Sequence, residues 1–93
     1  MNPLTDESRP KLARGVRLRA DPIDGEPVLL YPEGFLRLDT SSHDILVRCT
    51  GQSSIATIVE ELAVEYEASA VELRADVLEY VTQLRHEMLV ALA

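Results

Sequence analysis

Val28-Leu-Leu-Tyr-Pro-Glu-Gly-Phe-Leu-Arg-Leu-Asp39 is the stretch that decides the fold of this chain. The Pro-Glu-Gly sequence at its centre separates two short apolar runs, which predicts two antiparallel strands joined by a tight turn. The residues before this stretch alternate like a strand, and the residues after it have helical periodicity. The second strand of the stretch, Gly34–Asp39, is therefore expected where a small sheet meets a helical layer.

A further strand is predicted upstream of this stretch. Leu18 lies between Arg17 and Arg19, and this alternation is typical of a half-buried strand whose arginines face water. Two prolines and a glycine within residues 21–27 predict the turn that joins a strand over 14–20 to the first half of the opening stretch. The expected arrangement is a three-stranded antiparallel meander.

Two helices are predicted directly after the meander. Ser41 and Asp44 form an approximate capping box for a short first helix over residues 42–49, which is expected to stop at Gly51. Ser53 or Ser54 is expected to cap the second helix. Its apolar residues recur every three or four positions, which is the clearest helical stripe in the chain: Ile55, Ile58, Val59, Leu62, Ala63 and Tyr66.

A third helix is predicted from a second capping box, formed by Ser69 and Glu72. Apolar residues continue with helical spacing as far as Met88. No glycine or proline follows, so this helix is expected to run close to the C-terminus. Strands followed by helices predict an α+β class, with a winged helix-turn-helix-like shape in which a three-stranded antiparallel sheet precedes three helices.

The chain has 93 residues, which is enough for one domain and too few for two. Residues 1–8 are predicted to be a flexible tail with nothing to pack, and residues 9–93 to form the single domain. The N-terminus lacks the basic and apolar regions of a signal peptide, and no apolar run is long enough for a membrane span. With one cysteine no internal disulfide can form, so a cytoplasmic location is expected.

The formal net charge is −7 and the isoelectric point is about 4.7. Such a chain repels phosphate backbones, and four aromatic residues, counted as three tyrosines and one phenylalanine, do not make a stacking platform. Nucleic acid is therefore not an expected partner. The early arginines and the glutamates near residue 60 form separate clusters, which leaves room for a protein partner with complementary charge.

Nothing in the sequence predicts catalysis, a metal or a cofactor. His43 and His86 stand far apart and outside any ligand-spaced cluster. Cys49 falls on the apolar face of the first helix, so a buried, inert thiol is expected. Glu60 and Glu61 occupy the polar face of the second helix, which is typical of a solvated surface.

The remaining kind of function is the binding of a partner by shape complementarity. If Gly34–Asp39 is a free sheet edge beside the third helix, an extended peptide can add to it as a further strand. Leu36 and Leu38 are expected in the core and Arg37 in solvent or on the rim of the groove. The residues predicted to bind the peptide are Gly34, Phe35, Leu36, Arg37, Leu38, Asp39, Arg74, Val77, Leu78 and Val81. Each apolar member of this set is equally compatible with a plain place in the core.

Several segments resemble the PqqD proteins of pyrroloquinoline quinone biosynthesis. The most specific are Pro10–Leu18 and Val28–Glu33, and the likeness continues in Leu36–Asp39 and Ile45–Gly51. The helical residues from Ile55 to Leu78 extend it but would be weak by themselves. The likeness covers nearly the whole chain after Ser8. Relatives often end the last helix with a glycine before a final apolar pair, and the segment Arg85–Leu89 has none, which favours a longer helix here.

The resemblance implies a noncatalytic peptide chaperone with a winged helix-turn-helix fold. Such domains bind the leader of a ribosomally made precursor peptide and present it to a radical S-adenosylmethionine enzyme, which crosslinks a Glu and a Tyr within the peptide. The peptide is expected between the third strand and the third helix. The family therefore indicates the same place as the strand-addition argument.

Two other functions fit parts of the sequence. A winged-helix DNA-binding regulator needs a basic recognition helix, and Val71–Leu84 has three acidic residues against Arg74 alone. An acidic carrier protein needs a modifiable serine in an Asp-Ser-Leu context, which Ser41-Ser42-His43 lacks. A homodimer is also possible, and it is expected to use the strand region, because a free edge can pair with its twin.

Overall fold

The computed structural model describes residues 2–93, which form five strands and three helices. The α+β class predicted from the sequence is confirmed. In chain order the elements are β1 (Pro10–Leu12), β2 (Arg17–Ala20), β3 (Pro27–Tyr31), β4 (Gly34–Arg37), α1 (Thr40–Leu46), α2 (Ile55–Tyr66), α3 (Ala70–His86) and β5 (Val90–Leu92).

The predicted meander forms a three-stranded antiparallel sheet in the order β2-β3-β4. In its register Leu29 lies between Leu18 on one side and Leu36 on the other. Since facing residues project to the same side of a sheet, these three leucines share the inner face. Among residues 2–93, β4 pairs with β3 alone, so it is an edge strand of this sheet.

A second sheet, which the sequence does not predict, joins the two ends of the described chain. β1 and β5 pair antiparallel, with Pro10 opposite Leu92. The ladder continues past both strands through bonds of 2.8 Å from the Ala93 N–H to the Arg9 carbonyl and 3.0 Å from the Ala13 N–H to the Leu89 carbonyl. Strands of three residues carry too little alternation to be recognised in a sequence.

The helices begin at side-chain caps, one of which differs from the prediction. Asp39 caps α1, with its carboxylate accepting a hydrogen bond of 2.7 Å from the Ser42 N–H. Ser41 therefore lies inside the helix, because β4 ends earlier than expected and leaves the stronger cap available. Ser54 and Ser69 cap α2 and α3 as predicted, each accepting from the N–H three residues further on.

The third helix ends at His86, so the expectation that it runs close to the C-terminus is wrong. Met88 adopts a left-handed conformation with φ of 64°. The N–H groups of Met88 and Leu89 donate to the carbonyls of Arg85 and Leu84, at 3.0 and 2.9 Å. This bonding pattern is the Schellman motif, which normally has glycine at the left-handed position.

The hydrophobic core lies between the inner face of the meander and the three helices. Leu29 and Val81 are fully buried, and Cys49 is 3% exposed, so the predicted burial of the thiol is confirmed. The other buried members of this cluster are Val16, Leu38, Ile45, Leu46, Ile55, Ile58, Val59, Leu62, Val77, Leu84, Leu89 and Val90.

The N-terminal segment, residues 2–8, packs along α2 and α3. Leu4 packs against the core, and the Asp6 carboxylate lies 2.7 Å from Nε of Arg74. An Arg85 nitrogen donates to the Asn2 carbonyl at 2.5 Å. The division into a flexible tail over 1–8 and a domain over 9–93 stays a prediction, but residues 2–8 do have packing contacts.

Candidate functional site

The open edge of β4 presents backbone groups in a defined pattern. The Leu38 N–H donates to the Pro27 carbonyl at 3.1 Å, and hydrogen-bonded pairs alternate along an antiparallel ladder. Leu36 and Leu38 therefore direct their backbone groups toward β3. Phe35 and Arg37 direct theirs to the open side of the sheet. The edge offers two N–H donors and two carbonyl acceptors to an added strand.

The side chains of β4 and the residue after it divide between core and surface. Leu38 is 8% exposed, which confirms its predicted place in the core. Leu36 is 39% exposed, so the prediction that it is core is wrong. It does lie on the inner face of the sheet, but an edge strand has no neighbour to cover its open side. Phe35, on the opposite face, is 58% exposed.

Arg37 is held by two carboxylates in the turn between β2 and β3. Its guanidinium lies 3.0 Å from Asp21 Oδ2 and 3.2 Å from Asp24 Oδ2. The Glu26 N–H donates to Asp24 Oδ1 at 2.9 Å, and this bond is the main reason that the pKa of Asp24 lies below its usual value. Arg37 therefore joins β4 to this turn on the outer face of the sheet.

Tyr80 marks the face of α3 that lies against the residues following β4. Burial raises the pKa of Tyr80, and its phenol is close enough to Asp39 and Ser42 for both to affect that pKa. Asp39 and Ser42 lie directly after β4. Asp76 and Gln83 share this face of the helix by their spacing from Tyr80. Asp76, Tyr80 and Gln83 form this face of α3, and the sequence prediction included none of these three, although it did include Asp39.

The helix residues that were predicted lie elsewhere. Val77 and Val81 are 1% and 0% exposed, so they support the helix from the core and have almost no surface for a ligand. Leu78 is half-buried against the core. Arg74 lies beside Asp6 and the α2 residue Val59. Arg74 is therefore engaged by the N-terminal segment, and within residues 2–93 its side-chain ion pair is with Asp6 and not with β4.

A small apolar cavity of about 190 Å³ lies between the three helices on the Tyr80 side of α3. It is lined by Ser41, Ile45, Leu62, Tyr66, Leu73, Asp76 and Val77. The Tyr66 hydroxyl donates to the Asp44 carboxylate at its rim. A larger, more polar cavity of about 510 Å³ lies beside the C-terminal end of β4, where Leu38 and Asp39 line it together with Arg19 and His43.

The described residues contain no arrangement typical of catalysis or metal binding. Burial raises the pKa of Cys49 to about 12, so its sulfur stays a thiol at neutral pH. Residues 2–93 hold no cluster of three or more His, Cys, Asp or Glu side chains placed to bind a metal. Within the same residues, none of the helices has both the length and the apolar character that crossing a membrane requires.

The surface of α3 does not favour DNA. Its exposed positions include Glu72, Asp76 and Glu79, and its two arginines, Arg74 and Arg85, are engaged by the N-terminal segment. A recognition helix needs free cations to neutralise phosphates. The winged-helix regulator is therefore the weaker interpretation.

An α+β domain of winged helix-turn-helix type, with an open strand edge at β4, is the class that this fold and site define. The chain belongs to the PqqD family: the family model described as coenzyme PQQ synthesis protein D (PqqD) matches residues 26–90. This confirms the family that the sequence resembles.

Named relatives cover the chain almost completely. The PqqA binding protein of Xanthomonas axonopodis pv. citri (strain 306) is 39% identical over 92 residues, which is 99% of this chain and 100% of the relative. A PqqA binding protein of Xanthomonas oryzae pv. oryzae (strain KACC10331 / KXO85) is 38% identical over 92 residues, which again is 99% of this chain and 100% of the relative.

Two solved structures are similar. The solution NMR structure of the PqqD truncation of Methylobacterium extorquens PqqCD has a TM-score of 0.79 at 30% identity, covering 95% of this chain and 94% of that one. It is described as a functional, stand-alone recognition element for ribosomally synthesised, post-translationally modified peptides. The crystal structure of PqqD from Xanthomonas campestris has a TM-score of 0.57 at 37% identity, covering 92% and 96%.

Proposed function

We propose that this chain is a noncatalytic peptide chaperone of pyrroloquinoline quinone biosynthesis, and that it binds the precursor peptide PqqA as a strand added to β4. The names of its relatives support PqqA as the ligand, since they are called PqqA binding proteins. The observation that carries the binding mode is the open edge of β4, where the backbone groups of Phe35 and Arg37 have no strand beside them.

An added strand on this edge has two sets of side chains. One set lies on the inner face, next to the half-exposed Leu36 and opposite the Tyr80 face of α3. The other set lies on the outer face, next to Phe35 and Arg37. Backbone bonds supply affinity that is independent of sequence, and the inner side chains supply the specificity. The predicted contacts at Gly34, Asp39, Arg74 and Leu78 remain part of this proposal.

The test is amide hydrogen exchange with and without a synthetic PqqA peptide. The amides of Phe35 and Arg37 are expected to exchange fast in the free protein and to become protected at least about tenfold in the complex, since only these two gain hydrogen bonds. The amides of Leu36 and Leu38 are already bonded to β3, so they serve as internal controls whose protection should change little.

Two outcomes contradict this binding mode. One is equal protection of all four amides, which indicates general stabilisation of the sheet. The other is peptide binding that leaves Phe35 and Arg37 exchanging as fast as before, which places the peptide on another surface.

The proposal includes a radical S-adenosylmethionine enzyme of the same pathway as the partner that receives the peptide, and a cytoplasmic location where both are synthesised. A chaperone of this kind needs no reactive group of its own, which agrees with the buried thiol of Cys49. The expected result with purified enzyme, PqqA and this protein is that crosslinking within the peptide depends on adding the protein. Equal crosslinking without it contradicts the role.

A homodimer through the strand region is a second part of the proposal. The same edge of β4 can pair with its copy, and the residues 21–27 between β2 and β3 are a possible hinge for strand exchange. Because peptide and copy compete for one edge, saturating PqqA is expected to shift any dimer to monomer in light-scattering measurements. A dimer that persists with peptide bound would place its interface elsewhere.

A further inference from the structure

The outward face of the three-stranded sheet exposes apolar side chains that the peptide edge does not explain. The register aligns Arg17, Leu30 and Phe35 in one row across β2, β3 and β4, so their side chains share a face. It is the face opposite to that of the fully buried Leu29. Leu30 is 38% exposed and Phe35, the only phenylalanine of the chain, is 58% exposed.

The neighbouring row on the same face is covered. There the register places Val28 between Arg19 and Arg37, and Val28 is only 4% exposed. The aliphatic stems of arginines cover apolar surface in this way, and Arg37 is held in place by Asp21 and Asp24. The row of Leu30 and Phe35 has an arginine on one side only, so its apolar surface stays open.

This face also carries arginines that have no ion-pair partner among the described residues. Within residues 2–93, neither Arg17 nor Arg19 forms an ion pair, although the formal net charge is −7. On the same face Arg37 is paired with Asp21 and Asp24. A separate group of carboxylates lies around α2: Glu60, Glu61, Glu65 and Glu67. An apolar centre with unpaired arginines beside it is typical of a protein-binding surface.

We propose that this outer face docks an acidic, partly apolar surface of the enzyme that modifies the peptide. Two free arginines are too few for a phosphate backbone or a lipid surface, but they suit a few carboxylates on a protein. A strand added to β4 extends the same sheet, so an enzyme seated on the outer face lies directly beside the peptide. This inference rests on the proposed function.

The decisive variant is Arg17→Glu. Arg17 lies on β2, two strands or about 10 Å from the β4 edge, so an added peptide strand cannot reach its position. We expect the variant to bind the purified radical enzyme at least about tenfold more weakly than the wild type. Its affinity for PqqA is expected to stay within about twofold, because the edge itself is unchanged. Both affinities are measured by titration calorimetry.

Arg9→Glu is the matched control, since it makes the same charge change at an exposed residue outside this sheet. Leu30→Thr is the second variant: it places a β-branched residue in the strand and removes apolar surface, and it is expected to weaken enzyme binding while leaving PqqA affinity unchanged. Thermal unfolding of each variant checks that the sheet stays folded.

Three results overturn the proposed docking face. The first is that Arg17→Glu and Arg9→Glu bind the enzyme with equal affinity, and the second is that the wild-type protein does not bind the enzyme at all. The third is that Arg17→Glu instead abolishes binding to duplex DNA, anionic vesicles or a second copy of the chain. The PqqA titration is independent of these results. Loss of PqqA binding by the wild type would contradict the proposed function, whereas intact PqqA binding with an inert outer face contradicts this inference alone.

Discussion

Met88 shows how one residue sets the end of an element. It holds the left-handed position that closes α3, with φ of 64°, and its side chain is 81% exposed. For a residue with a Cβ this conformation costs about 1 kcal/mol relative to glycine. The hydrogen bonds to Leu84 and Arg85 and the burial of Leu89 stabilise the turn in spite of that cost.

Met88→Gly is therefore expected to stabilise the protein by about 1 kcal/mol, because it removes the strain and loses little buried surface. The measurement is the free energy of unfolding in urea. Met88→Ala is the control: it removes the same side chain but keeps the strained backbone, so no comparable gain is expected. A loss of stability in the glycine variant would mean that the exposed side chain does contribute to packing.

At the scale of elements, two short-range carboxylate contacts position β4. Asp39 caps the helix that follows it, and Asp24 holds the turn beside it. Hydrogen bonds from backbone N–H groups lower the pKa of both carboxylates below the ordinary value of 3.8. A carboxylate with a lowered pKa stabilises the fold above its unfolded pKa and loses that contribution as the pH falls through its folded pKa.

The contribution of these two groups is accordingly expected to stay constant from pH 7 to about pH 5 and to disappear below about pH 4. The measurement is the urea midpoint as a function of pH. In the variant Asp24→Asn with Asp39→Asn, the midpoint should be lower at pH 7 and should fall less steeply between about pH 4 and pH 2. Parallel curves for both proteins would assign the acid sensitivity to other carboxylates.

At the scale of the whole molecule, two kinds of contact hold the N-terminal segment against the helices. Leu4 packs against the core, whereas Asp6 and Arg74 form an ion pair with both side chains about half exposed. Burial of apolar surface contributes more to stability than an exposed ion pair does. The segment is therefore expected to depend on Leu4 rather than on its charges.

Leu4→Ala is expected to lower the free energy of unfolding by about 1 kcal/mol, and Asp6→Ala by about 0.5 kcal/mol or less. Thermal and urea unfolding of both variants provides the measurement. If residues 1–8 are a free tail in solution, neither variant will differ from the wild type, and the predicted tail will be the better description.

Local patterns predicted most of the fold, since the meander, two of the three helix caps and the burial of Cys49 depend on neighbouring residues. The pairing of β1 with β5 was missed because it joins opposite ends of the chain through three-residue strands. The exposure of Leu36 and the orientation of α3 were missed for a related reason. Periodicity identifies an apolar face, but the side of the helix that flanks β4 depends on how the elements pack.

The pairing of β1 with β5 also has a consequence for how such a domain is joined to others. The Ala93 N–H and the Arg9 carbonyl are 2.8 Å apart, so the two ends of the fold emerge at one place, on a different sheet from β4. A fusion after Ala93 would therefore be tethered at the β1–β5 sheet, and a circular permutation that joins Ala93 to the N-terminal segment would leave the β4 edge untouched. Attachment at this sheet and the proposed strand addition at β4 would thus be topologically independent.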